Sequence, residues 1–182
     1  MQITPAEIAE TLAMVGRQHL DIRTITLGIN LRSCVDPDID ALASKVYERM
    51  VRAAEHLVPT ADQLEREFGI PIINKRMSVT PVAELCAGVH AQDLTPIAVA
   101  MDKAAKQVGV DFVGGFSALV QKGASAADVK LMDSIPSALA ATERVCASVN
   151  VGSTRAGINM DAAFKMAGII RRAAEATADR QC

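Results

Sequence analysis

Apolar residues recur along this chain in two alternating periods, one helical and one of strand type, and the switches between them are marked by proline and glycine. Thr4-Pro5 with Glu7 reads as an N-cap, a first helical residue and a capping box. Ile8, Leu12 and Val15 carry a helical stripe from there until the pattern fades near His19. Ile22 to Leu31 (IRTITLGINL) alternates β-branched and apolar residues and predicts a strand. Asp36-Pro37 opens a second helix with Ile39, Leu42, Val46 and Met50 on one face. Pro59 breaks it, and Thr60 starts a shorter helix that Gly69 ends after Phe68. Ile70 to Ile73 predicts the next strand, followed by a polar loop, Asn74 to Thr80. Thr80-Pro81 and Thr95-Pro96 each open a helix, the second closed by Gly109. Val110 to Leu119 predicts a third strand with Gly114-Gly115 in its middle. Helices follow from about Ala126 and again after Ser134-Ile135-Pro136. A fourth strand covers Val145 to Val151, and Asn159 or Asp161 caps a last helix carrying Phe164, Ile169 and Ile170.

Strands that alternate with helices of ordinary length define an α/β class with a mostly parallel sheet, its faces covered by helices. No fixed-period repeat and no low-complexity linker interrupts the order. The chain stops inside a helix, just where another strand would be expected.

Composition narrows the function classes. The 182 residues carry 19 Lys+Arg against 21 Asp+Glu, a net charge of -2, with only 3% aromatics. A nearly neutral chain without a basic block or stacking aromatics is not built for nucleic acid. The longest charge-free stretch is about ten residues, short of the ~18–20 of a membrane helix. The amino terminus has no basic-then-apolar leader, so the expected location is cytoplasmic. Cys34, Cys86, Cys146 and Cys182 are far apart, which matches neither a zinc site nor a CxxC redox motif and reads as apolar packing. His19, His56 and His90 have no partner at metal spacing and read as surface or capping residues. No metal site is expected, and the cofactor is unknown.

Ligands of parallel sheets meet the loops at the carboxyl ends of the strands, and four stretches invite attention. In Asn30 to Asp40 (NLRSCVDPDID) the three Asp could hold a hard cation, but they read first as the cap (Asp36) and dipole partners (Asp38, Asp40) of the helix that follows. In Asn74 to Thr80 (NKRMSVT) Lys75 and Arg76 precede a capped helix start, where a carboxylate or phosphate would be held, with Asn74 and Ser78 beside it. The bland alternative is a solvated basic turn. Gly114-Gly115-Phe116-Ser117 marks a bulge or a close approach of backbone or ligand and does not match GxGxxG. Asn150 to Asn159 (NVGSTRAGIN) clusters Ser153, Thr154, Arg155 and Asn159 with two glycines, beside Asn150, an anion nest or a self-bonded turn.

These stretches also carry a resemblance. LDIRTITLGINLRSCVDPDID, GIPIINKRMSVTPV, DKAAKQVGVDFVGGFSALVQKG and SIPSALAATERVCASVNVGSTRAGINM are similar, over almost the whole chain, to uncharacterised protein family 0210, also called domain of unknown function 711 and labelled "PFL family protein". The resemblance implies part of a pyruvate formate-lyase-like, ten-stranded α/β barrel, a fold shared with glycyl radical enzymes, and a homodimer. It does not transfer radical chemistry, and this chain has no adjacent Cys-Cys pair. The chain resembles about the first two-fifths of such a protein, so residues 1–182 are expected to be the amino-terminal part of one α/β barrel domain, a truncated or split form rather than a self-sufficient short one. It would pair as a dimer or with a second chain that completes the barrel, because a partial barrel leaves open edges and an uncovered apolar face. Two readings of function follow. One is an enzyme-like protein holding a small anionic metabolite on Asn74, Lys75, Arg76, Ser78, Gly114, Gly115, Ser117, Asn150, Ser153 and Thr154. The other is a non-catalytic regulatory or assembly protein acting through dimerisation.

Overall fold

The computed structural model describes residues 4–18 and 21–180, so the readings of His19 and Cys182 lie outside the described residues. Helix α1 (Pro5–Gly16) begins with the expected capping box, in which Thr4 and Glu7 satisfy each other's backbone N–H groups. Strand β1 (Ile25–Ile29) is shorter than the alternating run that predicts it. A single 3-10 turn, Arg32–Cys34, leads into α2 (Ile39–Ala54), which is capped by Asp38 rather than Asp36. Helix α3 (Leu57–Phe68) starts ahead of Pro59, which sits harmlessly in its first turn, and ends at Gly69 with φ +67°.

Strand β2 (Lys75–Val79) replaces the loop expected at Asn74 to Thr80, while the apolar run before it makes only one bridge, Ile72 to Ile22. The reason is visible in the alternation. Met77 and Val79 are buried, and Arg76 and Ser78 turn to the other side, so a strand with one polar face reads as polar. Helix α4 (Val82–Leu85) is one turn, and α5 (Thr95–Val108) ends on Gly109 with φ +84°. Strand β3 (Phe112–Leu119) is followed by α6 (Ala126–Ala141), a single helix where two are expected. Pro136 costs that helix about 3 kcal/mol. Burial of Leu131, Met132, Ile135 and Ala138 on both sides of the proline keeps it one continuous helix. Strand β4 (Val145–Asn150), a small hairpin of β5 (Gly152–Ser153) and β6 (Gly157–Ile158), and α7 (Met160–Ala176), capped by Asn159, complete the order.

The four long strands form one parallel sheet in the order β1-β2-β3-β4. Crossovers of one hand that step to the adjacent strand each time leave all their helices on the same face. The helices pack in matching order, α2 on α5, α5 on α6 and α6 on α7. The core lies between the two layers. Leu42, Val46 and Met50 of α2, Ile97 and Met101 of α5, and Leu131 and Met132 of α6 meet Met77, Val113 and Phe116 of the sheet, all at most 1% exposed. Two expectations are corrected here. Helices cover one face of the sheet, not both, and the face they leave uncovered is mixed rather than uniformly apolar, with Phe112 and Leu119 exposed among polar residues. It carries Thr26, Gly28, Ser78, Cys146, Ser148 and Asn150, all exposed.

Two connections are pinned by charge. Asp102 of α5, only 5% exposed, accepts hydrogen bonds from the N–H groups of Glu143 (3.0 Å) and Arg144 (2.8 Å) and pairs with Lys106 at 2.9 Å. Arg144 in turn donates to the carbonyls of Ala105 and Val110. Together they tie the entry of β4 to the carboxyl end of α5.

Candidate functional site

The register of the sheet determines which residues stand side by side on the open face. Thr26, Arg76 and Phe112 form one row, and Gly28, Ser78, Gly114 and Cys146 form the next. Beyond a bulge at Gly115, Ser117 pairs with Ser148 and Leu119 with Asn150. In-register residues of a parallel sheet share a face, so the first two rows close a cavity of about 420 Å³ lined by Thr26, Arg76, Ser78, Phe112, Gly114 and Cys146.

Arg76 is its only formal charge. The guanidinium carbon lies 5.3 Å from the centroid of the Phe112 ring, a cation–π distance that holds the side chain across the sheet. Its Nε is buried and has no hydrogen-bond partner, and among the described residues no carboxylate pairs with it. The two glycines of the second row are not explained by the fold. A Cβ built on Gly28 or Gly114 would meet nothing within 4 Å, and neither has a left-handed backbone. What they provide is room.

Gly115 is different. Its φ is +123°, and a Cβ there would press on the Val79 Cγ2 methyl and lie 2.7 Å from the Val79 carbonyl oxygen. The bulge therefore brings β3 into close contact with β2 and needs glycine. Its role is in the backbone of the sheet.

Lys75 and Arg76, read together from the sequence, face opposite ways. The Lys75 ammonium sits on the helical side, 3.2 Å from Asp62 and 3.5 Å from Glu65 of α3. Burial alone would lower its pKa, but these two carboxylates outweigh burial and hold it above the ordinary value. Asn74 closes the amino ends of β1 and β2, donating from Nδ2 to the Arg23 carbonyl at 3.1 Å. Neither Lys75 nor Asn74 lines the cavity. Lys75→Met should therefore cost stability by about 1 kcal/mol, typical of a partly buried ion pair, and leave the open face unchanged, as urea unfolding would show.

At the carboxyl ends of the strands, Asn150 Oδ1 accepts from the Gly152 N–H, and Ser153 Oγ accepts from the Ala156 N–H. Ser153 and Thr154 line a shallow hollow of about 490 Å³ with Gln121, Lys122 and Arg155. The structure thus divides the expected single site. Asn74, Lys75 and Arg76 lie at the amino end, Asn150, Ser153 and Thr154 at the carboxyl end, and Ser78, Gly114 and Ser117 on the face between. A larger concavity of about 770 Å³ between α2 and α5 lies on the outer helical surface, away from all of these.

The aspartates of the first loop serve the fold. Asp38 accepts from the Ala41 N–H as cap, and Asp36 pairs with Lys45 at 2.7 Å. Among the described residues no three of His, Cys, Asp and Glu converge as a metal site would require. His56 is exposed and pairs with Glu55, and His90 is exposed.

The cysteines separate by environment. Cys34 and Cys86 are buried packing residues, as expected, and burial pushes the Cys86 thiol up to about 12. Cys146 is exposed on the open face, which corrects the packing role read for all four cysteines from their wide spacing. Thr26, Phe112 and Cys146 were legible only through strand register. Brief labelling with a thiol reagent at pH 8 should mark Cys146 and spare Cys34 and Cys86, as peptide mapping by mass would show.

A two-layer parallel α/β protein, with strands in sequence order and one sheet face left open, is the class that this geometry defines. The family follows from comparison. Residues 13–182 match the model described as Uncharacterised ACR (DUF711), and the chain belongs to that family. It is 55% identical over 179 residues to a UPF0210 protein of Syntrophotalea carbinolica, covering 98% of this chain and 40% of the relative. A UPF0210 protein of Methanosarcina barkeri is 53% identical over 180 residues, covering 99% of this chain and again 40% of the relative. The chain therefore spans about two-fifths of the length of these relatives. No helix among the described residues is long and apolar enough to cross a membrane.

Proposed function

We propose that this chain is the amino-terminal part of a larger, pyruvate formate-lyase-like α/β barrel and that its open face binds a small anionic metabolite, a carboxylate or a phosphate. The observation that carries the reading is Arg76: a lone cation held over a ring, with a buried unpaired Nε and no carboxylate partner, in a cavity whose glycines are not required by packing. A planar guanidinium is matched to a two-oxygen anion. The hydroxyls of Thr26 and Ser78 flank it and would donate to the remaining oxygens. Gly28 and Gly114 would let the ligand approach the sheet backbone. Closure of a barrel would turn this face inward and dry it, strengthening each of those contacts. The carboxyl-end group of Asn150, Ser153 and Thr154 would sit at the rim.

The test is calorimetric titration of the chain with a panel of small carboxylates and phosphates. At least one should bind, and Arg76→Met should weaken that binding by about tenfold to a hundredfold, the value of one charge-assisted pair. Arg76→Lys should lie between the two. Gly114→Val should weaken binding by filling the cavity while leaving the melting temperature within a few degrees of wild type. Equal binding by Arg76→Met, or no binding across the panel, would overturn the reading.

A further inference from the structure

Every residue that lines the Arg76 cavity belongs to a strand: Thr26 to β1, Arg76 and Ser78 to β2, Phe112 and Gly114 to β3, and Cys146 to β4. That origin decides what the walls can offer a ligand. Backbone N–H groups of a sheet lie in its plane and point toward neighbouring strands, not out of its face. Gly114, and Gly28 in the same row, therefore present C–H groups rather than N–H donors to whatever lies on them. No lining residue lies in a helix or a loop, so no helix N-terminus points into the cavity.

The charge count is as spare. Arg76 brings one positive charge, with no carboxylate beside it among the described residues. Lys75, its neighbour in sequence, is on the helical side and held by Asp62 and Glu65. Arg144, which leads into β4, is spent on the carbonyls of Ala105 and Val110. No group of His, Cys, Asp and Glu among the described residues converges to hold a metal ion that would add charge. Phosphate sites rest on a second cation, a helix N-terminus, a loop of free N–H groups or a divalent metal. Among the described residues the cavity has none of these.

One guanidinium matches one carboxylate in charge and in its two oxygens. A phosphate monoester carries about two negative charges near neutral pH, so roughly one of them would stay unmatched here. The hydroxyls of Thr26 and Ser78 can donate to oxygens but bring no charge. The rest of the lining includes the Phe112 ring and the Cys146 thiol, which suit a short apolar body. The volume of about 420 Å³ is near the small end of ligand pockets, which run from about 300 to 1,000 Å³.

We propose that this cavity is selective for a small monocarboxylate and discriminates against phosphorylated and dicarboxylic ligands. The Arg76 fork takes the carboxylate, and the body lies over Gly114 beside the Phe112 ring. The proposal rests on the anion reading of Arg76 given above and narrows it to one class.

The experiment is calorimetric titration of the chain at pH 7.5 with ligand pairs that share a body and differ in charge. Benzoate should bind about tenfold or more tighter than phenyl phosphate, and butanoate tighter than succinate by a similar factor. Benzenesulfonate, a monoanion with three oxygens, should follow benzoate, which separates charge from oxygen count. Cys146→Lys adds a cation to the second row of the same cavity, at an exposed position. It should raise the affinity for phenyl phosphate about tenfold and erase or reverse the preference for benzoate, a gain that a misfolded variant cannot show. Phenyl phosphate or succinate binding as tightly as its partner would overturn the proposal and leave the anion reading standing. So would a Cys146→Lys variant that keeps the wild-type ratio. Carboxylate binding that Arg76→Met leaves unchanged, or no binding by any of these ligands, would overturn the anion reading and this proposal with it.

Discussion

Gly115→Ala is expected to lower the melting temperature by about 10 °C or more, or to prevent folding outright. The added methyl meets two separate obstacles. The backbone at φ +123° is one that L residues rarely adopt, and the methyl would lie 2.7 Å from the Val79 carbonyl oxygen. Strain of about 1–3 kcal/mol adds to an overpacking cost of similar size. Relief would require β3 to move away from Val79 of β2 at the point where its ladder with β4 carries the bulge. Its neighbour supplies the control. Gly114→Ala faces open space at an ordinary φ and should melt close to wild type. Circular dichroism melts of the two variants side by side check the prediction; similar losses in both would mean that the bulge is not the constraint.

Asp102→Ala is the second large effect, expected at about 3 kcal/mol or more. The substitution leaves the Glu143 and Arg144 N–H groups without their acceptor at a partly buried turn and releases Lys106. The same residue sets a pH dependence. Burial raises its pKa, but the hydrogen bonds from Lys106, Arg144 and Glu143 outweigh burial, and the net effect holds it below its ordinary value of 3.8. A carboxylate with a depressed folded pKa stabilises fully at pH above its unfolded value. That contribution is lost as pH falls through the folded one. Wild-type stability should therefore drop as pH falls below about 4. In Asp102→Asn that part of the fall should be missing. Urea unfolding at a series of acid pH values measures both.

What the sequence reveals and what it hides divide along a physical line. The helix starts at Thr4 and Asn159 and the helix ends at Gly69 and Gly109 were legible because each is decided by one or two local residues. Strand β2 was not, because alternation with Arg76 and Ser78 on an open face looks like a polar loop unless the sheet around it is known. Helix α6 was split on paper at Pro136, where tertiary burial overrides a local penalty. For the site, Arg76 was named from its charge, but its neighbour Lys75 was named with it. Strand geometry sends adjacent side chains to opposite faces, and Lys75 belongs to an ion pair with α3. Thr26, Phe112 and Cys146 reach Arg76 only through register across three strand pairings, information that no single stretch of chain contains.

The order β1-β2-β3-β4 also has a consequence for how the molecule is made. Every pairing joins strands that are consecutive in the chain, so no strand must wait for a distant segment before it finds its neighbour. Loop-closure cost stays small at each step, and contacts are local for a parallel sheet. On a ribosome each emerging strand, with its helix, can dock on an edge already formed. Order in time and order in space coincide, and the growing edge always faces the chain still to come.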